Sequence, residues 1–468
     1  CAFFKSKVTR GRLSKMELLK FLVCFAALAM TMAQDKILVI NEEDLESIDF
    51  DEEKDDEQMV DDGETVIIEH DEVPGGIIEY TPTKIQVLAS SINKFSIVLY
   101  NHLPRAYRHQ VCFGSFSIMN IMSLLYIGSA GRTEEELKRV LQYKFAVQTK
   151  SLISETFSQA NDLLDSSKPR QYMFNRSDTF LFNEGSRVNL KFRSEIDKFL
   201  VPVTVVSFEE KGRIAALAIN HWLSARTKGY LNEVLSKVDP RSDVIAVDVS
   251  YIKGVWKNKF SSFNTEKKIF YNKGSSTNDT IVPMMRMTSN LEYFDDEWLT
   301  MVALPIKGDI FSVYFLLPKI PVEAPPTTLN IFHYAIKEAA FRMELKHVTV
   351  TIPKFRFEYA LNVSRSLCDM GVKTLCRRGV FNLATMINKK KVTVGGIIHK
   401  TFVDISEAGI NLGTHRAQRF VDIEEANITF VVDRPFQFSI IDSRSGMVLF
   451  LGSVDELPKH TEEKKKGN

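Results

Sequence analysis

The chain has 468 residues, 44% hydrophobic and 25% charged, which is the make-up of a globular protein with a large core. Its formal net charge of +1 leaves no global field to draw it to nucleic acid or to an anionic membrane. Near-neutrality hides an asymmetry, because one N-terminal stretch is strongly acidic and the remainder is mildly basic.

In chain order, residues 1–15 precede the first plausible start, Met16, and read as an upstream translation artefact outside the fold. Residues 16–33 run from Met16-Glu-Leu-Leu-Lys20 through the apolar stretch Phe21 to Met30 and close on Thr31-Met-Ala33. A short apolar run ended by small residues is a secretory signal peptide, and it is too short to span a bilayer comfortably. The expectation is a secreted, extracellular protein with no membrane segment. If cleavage follows Ala33, Cys112, Cys368 and Cys376 remain, an odd number that builds no disulfide framework. Stability is then expected to come from the core. Four sequons suit a secreted glycoprotein: Asn175-Arg-Ser, Asn278-Asp-Thr, Asn362-Val-Ser and Asn427-Ile-Thr.

Residues 34–82 form an acidic N-terminal extension. Its centre, residues 41–72, is a run of carboxylates whose mutual repulsion predicts disorder. It reads either as a solvated spacer or as a tail that docks on a basic protein surface, with Ile48 and Phe50 as apolar anchors. Ordered structure is predicted from near Thr83, over residues 83–458, ahead of a charged tail at 459–468. Leu88, Ile92, Phe95 and Leu99 recur at helical spacing. Ile118 to Ile127 reads as a buried helix. Thr133 is predicted to cap the next, with Glu136 as its capping-box partner. Ile214 to Leu223 is a further amphipathic helix.

The C-terminal half turns to β-branched and aromatic runs: Val244-Ile-Ala-Val-Asp-Val, Met301-Val-Ala-Leu, Phe311-Ser-Val-Tyr-Phe-Leu-Leu, Val348-Thr-Val-Thr-Ile and Ile428-Thr-Phe-Val-Val. Phe436 to Ile441 and Met447 to Leu451 look like the arms of a hairpin turned at Asp442 to Gly446. Helices early and strands late predict an α+β fold with large antiparallel or mixed sheets. No Cys/His spacing predicts a metal site, no cofactor motif is present, and the nucleophile elbow, P-loop and zinc-protease signatures are missing. Nothing positive points to an enzyme.

A series of short fragments carries more. Asn220-His-Trp222 and Thr227-Lys-Gly229 are followed by Tyr251-Ile-Lys-Gly254-Val-Trp256, Val282-Pro-Met-Met285, Leu304-Pro305 and Leu316-Leu-Pro-Lys319. Then come Ile352-Pro-Lys-Phe355, His399-Lys400, Glu407-Ala-Gly409, Pro435-Phe436 and Gly452. Each is weak alone, but in this order and spacing, over about residues 84–458, the chain resembles the serpins. The resemblance implies one domain with three β-sheets, about nine helices and an exposed reactive-centre loop. In inhibitory members a protease cleaves that loop, and the freed arm inserts as a strand into the central sheet.

The resemblance marks three places. Trp256, Lys354 and Glu407 match the family's latch at the top of the central sheet, with Lys354 and Glu407 expected to pair at the base of the loop. Ser117 and His399 match a mid-sheet gate in which Asp248 replaces the family's asparagine, and Gly114-Ser115 replaces its Ser-Pro. A charged His399–Asp248 pair that weakens at acid pH is one expectation there; an ordinary buried hydrogen bond is the other. The third place is the loop, with hinge residues Glu407, Gly409, Ile410, Leu412 and Arg416. Ile410 stands where inhibitory serpins carry Thr or Ser. On strand alternation Arg416 would face inward on insertion, and burying an unpaired charge costs several kcal/mol. The family's spacing from Glu407 puts the reactive bond at Ile423–Glu424, while counting back from Pro435 puts it at Glu424–Glu425.

Two functions follow. One is a divergent, non-inhibitory serpin with a binding, carrier or signalling role. The other is an active inhibitor of an extracellular serine or cysteine protease, with the acidic arm as exosite ligand. A third use of the arm is to cover basic patches (Arg105–Arg108, Arg377-Arg378, Lys389-Lys-Lys391) until a polyanion displaces it. The protein is expected to be a monomer.

Overall fold

The computed structural model describes residues 82–458 apart from 105–108, 144–148, 165–171, 227–228, 230–232, 237, 320–331, 337–338 and 412–424. The first helix, α1 (Lys84–Asn101), opens on a capping box: Thr83 Oγ1 accepts from Gln86 N–H, and Gln86 Oε1 accepts from Thr83 N–H. It buries Leu88, Ile92, Phe95 and Leu99, the predicted stripe. Helix α2 (Ser115–Gly128) is buried along its whole length. It then passes to α3 (Arg132–Val140), α4 (Lys150–Leu164), α5 (Arg193–Phe199), α6 (Phe208–Arg226) and α7 (Val363–Met370).

The capping box expected at Thr133 does not form. Helix α3 starts two residues earlier, with Gly131 rather than Thr133 at its N-cap, and Thr133 lies inside it. Thr133 Oγ1 instead accepts from Asn382 N–H, and Glu136 Oε2 accepts from Thr374 N–H and Oγ1–H. Both side chains serve long-range contacts, which outweigh the local motif.

The central sheet has six strands in the order β10 (Phe355–Asn362), β11 (Val394–Ser406), β12 (Gly409–Ile410), β4 (Val244–Val255), β2 (Tyr172–Asn183), β3 (Val203–Val206). Below β12, β11 and β4 pair directly and in parallel, from Val394/Val244 to Thr401/Ser250. The second sheet has nine strands, in the order β1 (Gln110–Gly114), β15 (Met447–Val454), β14 (Phe436–Asp442), β8 (Phe311–Pro318), β7 (Leu299–Pro305), β6 (Asp279–Asp295), β9 (Glu344–Pro353), β13 (Ile428–Val431), with β5 (Glu266–Tyr271) also on β6. The 17-residue β6 joins the larger and smaller parts of this network, so two of the three expected sheets are continuous. The predicted hairpin of β14 and β15 is present.

Helix α2 packs between β15 on one side and β4 on the other. Phe116 meets Phe157 and Phe174 there. On the opposite face of β4, Val247 and Val249 join a second cluster with Phe208, Ile219 and Leu223 of α6. Coverage on both faces explains why Val244–Val249 of β4 reads as an apolar run broken only at Asp248. Strand β2 breaks the helices-first pattern: its middle, Asn175-Arg-Ser-Asp178, is polar, yet it lies inside the sheet between β4 and β3. The cysteine expectation is also corrected. Cys368 in α7 and Cys376 are joined in a disulfide, and Cys112 is free and buried.

Candidate functional site

Two polar assemblies interrupt the apolar central sheet. The upper one is a hairpin. Strand β11 turns through Glu407-Ala408 into β12, pairing Ser406 with Gly409 and Ile405 with Ile410. Strand β12 pairs on its other edge with β4, Gly409 opposite Val255 and Ile410 opposite Gly254. The hinge therefore already sits as a short strand between β11 and β4 in the uncleaved chain. Trp256 grips the turn from both sides: its indole Nε1–H donates to Ser406 O at 2.8 Å and its backbone N–H to Ala408 O at 3.1 Å. Lys354, in the junction between β9 and β10, pairs with Glu407 Oε2 at 2.8 Å, and Thr265 Oγ1 donates to Glu407 Oε1 at 2.9 Å. Partial burial pushes the Glu407 carboxyl up, but the Lys354 and Thr265 hydrogen bonds prevail and hold it below its usual range.

Ile410 is fully buried in the main core. Asn411 follows with φ 51°, a left-handed conformation that turns the chain out of the sheet. Its N–H donates to Asp404 O, and its side-chain amide donates to Ile252 O of β4 at 2.7 Å and Phe402 O of β11 at 3.1 Å.

The lower assembly lies under α2. Register places Asp178 of β2 opposite Asp248 of β4, and Asp248 opposite His399 of β11. His399 Nδ1 is 2.7 Å from Asp248 Oδ2, and its Nε2 accepts from Gly114 N–H at 3.1 Å. Ser117 Oγ is within 3.1 Å of Asp248 Oδ2 and 2.9 Å of Ser250 Oγ. Arg176 Nε pairs with Asp178 Oδ2 at 2.9 Å, and Asn120 Nδ2 donates to the same oxygen at 3.2 Å. Four strands and a helix thus converge on a buried row, Arg176–Asp178–Asp248–His399.

The charge state of that row corrects the ion-pair expectation. With Nε2 accepting from Gly114, the imidazole is the neutral Nδ1–H tautomer donating to Asp248. Burial pushes His399 down to about 3 and Asp248 up to about 7, against the pull of the donors on Asp248. Asp178 is also raised, by burial first and then by the neighbouring Asp248 carboxyl, with Arg176 opposing. The two carboxyls face each other across the β2–β4 register, and neither Asp178 Oδ1 nor Asp248 Oδ1 has a hydrogen-bond partner among the described residues. The gate is a neutral imidazole beside two facing carboxyls that burial pushes up, with Arg176 paired to Asp178.

Residues 90–457 match the family model for serpins, described as serine protease inhibitors. The chain is a serpin. It is 27% identical over 375 residues to intracellular coagulation inhibitor 2 of Tachypleus tridentatus, covering 79% of this chain and 91% of that one. It is 27% identical over 363 residues to iripin-3 of Ixodes ricinus, covering 76% and 91%. Among solved structures, Serpin48 of the insect Tenebrio molitor matches with a TM-score of 0.68 at 22% identity, covering 80% of this chain and 99% of that one. Human thyroxine-binding globulin complexed with thyroxine matches with a TM-score of 0.72 at 18% identity, covering 81% and 100%. The serpin family is one of protease inhibitors rather than catalysts.

In this serpin, Trp256, Lys354 and Glu407 meet at the hinge, and Ser117, Asp248 and His399 meet at the gate. Leu412, Arg416, Ile423 and Glu424 lie outside the described residues, as do the signal peptide, the acidic extension, Arg105–Arg108 and residues 459–468. Of the sequons, Asn278, Asn362 and Asn427 are exposed. Asn175 is not a free acceptor: it sits mid-strand in β2, half-buried, with Nδ2 donating to the Tyr251 hydroxyl at 3.1 Å. Sequence reasoning missed Asn411, Asp178, Arg176 and Thr265. Only the polar break in β2 hinted at the middle two; Asn411 and Thr265 leave no local signal.

Proposed function

We propose that this serpin is a secreted, extracellular glycoprotein with impaired suicide inhibition, and that it presents its reactive-centre loop in a binding, carrier or signalling role. The observation that carries this reading is the direction of Ile410. Its side chain points into the core from a strand already in place, so residues 412, 414 and 416 take the same inward face if the strand is extended in register. Arg416 then carries its guanidinium into the sheet's interior, at a cost of several kcal/mol. Insertion slowed by that cost loses its race against deacylation. The Cys368–Cys376 disulfide supports secretion, since such bonds persist in oxidising compartments. Residues 83–458 are taken as the folded serpin domain, acting as a monomer. The acidic run 41–72 serves as a ligand for a basic protein surface, or shields the chain's own basic surface at Arg377, Arg378 and Lys389–Lys391 from polyanions.

The test is incubation with a panel of serine and cysteine proteases, followed by melting of the nicked product. Cleavage without an SDS-stable complex, and without a large gain in melting temperature, is expected. A covalent complex with a cleaved, hyperstable serpin overturns the reading.

The second reading is an active inhibitor cleaved at Ile423–Glu424. It is favoured by Ile410 itself, which fits the core without an unsatisfied polar group where family inhibitors carry Thr or Ser. The relative from Tachypleus tridentatus is named as a coagulation inhibitor. In that case deleting residues 41–72 slows inhibition most at low salt.

A further inference from the structure

We infer that Asn411 is a positioning residue that arrests the hinge one residue pair into the central sheet, acting as a side-chain rung between the strands that would otherwise part. The direct pairing of β11 and β4 ends at Thr401 and Ser250, while β12 fills the gap only from Ile410 opposite Gly254 upward. Between these levels the register of β11 against β4 is not continued. Side chains close the interval. Thr401 Oγ1 donates to Ser250 O at 2.6 Å, and the two N–H groups of the Asn411 amide divide between Ile252 O on β4 and Phe402 O on β11. A planar amide with two diverging donors is the side chain whose shape spans two strand carbonyls at once. The orientation is unambiguous, because the flipped amide would set its oxygen against both carbonyls.

The backbone serves the same end. At φ 51° Asn411 leaves the strand conformation, and asparagine is among the few residues besides glycine that adopt this region readily. The strand therefore ends at Ile410. Moving the next residues into the sheet requires Asn411 to return to an extended conformation and to withdraw its amide, giving up its hydrogen bonds to Ile252 O and Phe402 O until new strand bonds replace them. The rung thus opposes withdrawal of the hinge and its further entry alike. This holds whether or not the serpin traps a protease.

The test uses the full-length protein, with hydrogen exchange read separately over the hinge (residues 402–411) and over the β14–β15 hairpin as an internal reference. Asn411→Ala is expected to speed hinge exchange at least tenfold with no change in the hairpin, and to speed proteolytic cleavage within 412–424 severalfold. Asn411→Gly separates the two contributions, since it tolerates the left-handed turn but has no amide; it is expected to lose as much protection as the alanine variant. Asn411→Asp, which opposes a carboxylate to two carbonyls, is expected to lose most at pH 7. Hinge protection retained in Asn411→Gly would show that the turn alone holds the strand and would overturn the inference. A rise of equal size in hinge and hairpin overturns it too, because it reports only general destabilisation.

Discussion

At Asp248, desolvation competes with the donors around the carboxyl, Ser117 Oγ–H and His399 Nδ1–H, and desolvation wins: the group is held up at about 7. A carboxyl raised from about 4 in the unfolded chain contributes stability that is complete below the unfolded value and lost as pH climbs through the folded one. His399, lowered to about 3, has the opposite sign: its contribution is present above the unfolded value of about 6.5 and is lost as pH falls. Asp248→Asn deletes only the first of these while its amide still accepts from His399 and donates to Asp178. The variant's advantage in melting temperature should therefore be larger at pH 8 than at pH 5 by several degrees. An equal difference at both pH values would show that Asp248 is not the titrating group. Gly114 is a second residue whose identity is dictated by contact, since a Cβ there runs into the hydroxyls of Ser250 and Ser117. Gly114→Ala is expected to cost about 1–3 kcal/mol by overpacking, read in urea unfolding; unchanged stability would mean the gate yields freely.

The hinge hairpin is held by three unlike contacts: the Trp256 indole on Ser406 O, the Lys354–Glu407 pair, and the Asn411 amide. They differ in weight. The Lys354–Glu407 pair is part-exposed, so its removal is expected to change global stability by no more than about 1 kcal/mol. The Trp256 hydrogen bond is buried. Trp256→Phe keeps most of the ring contact with Phe260 but leaves Ser406 O unpaired, for a loss of about 1–3 kcal/mol. Comparing Lys354→Met with Trp256→Phe by denaturant midpoint checks the ranking; the reverse order would place the latch in the ion pair. Element by element, the strands buried on both faces were legible, because β4 and β8 read as apolar runs. Strand β2 was not, because its polar middle answers partners on α2, α4, α5 and β4. Thr133 and Glu136 show the converse: a good local motif whose groups are claimed by Thr374 and Asn382.

For the molecule as a whole, one covalent link matters. Cys368–Cys376 closes a short loop below α7. Cys376→Ser should lower stability by about 2–3 kcal/mol on loop entropy, and a thiol titration of the unfolded parent should find Cys112 as the one reactive thiol within residues 82–458. Two further thiols there would remove the disulfide, and with it a support for secretion. The odd cysteine count argued against a framework, yet it never forbade a single bridge, and the pairing depends on α7 bringing the two residues together.

From the sequence alone came the family, the α+β class and the apolar stripe of α1, because short fragments in a set order and a regular spacing are properties of the chain. The charge state of the gate, the half-entered hinge and the role of Asn411 belong to the tertiary structure. Each depends on what surrounds a group once folding has removed water: an imidazole made neutral by the N–H it accepts, two carboxyls brought face to face by strand register, an amide set between two strands that local sequence does not name.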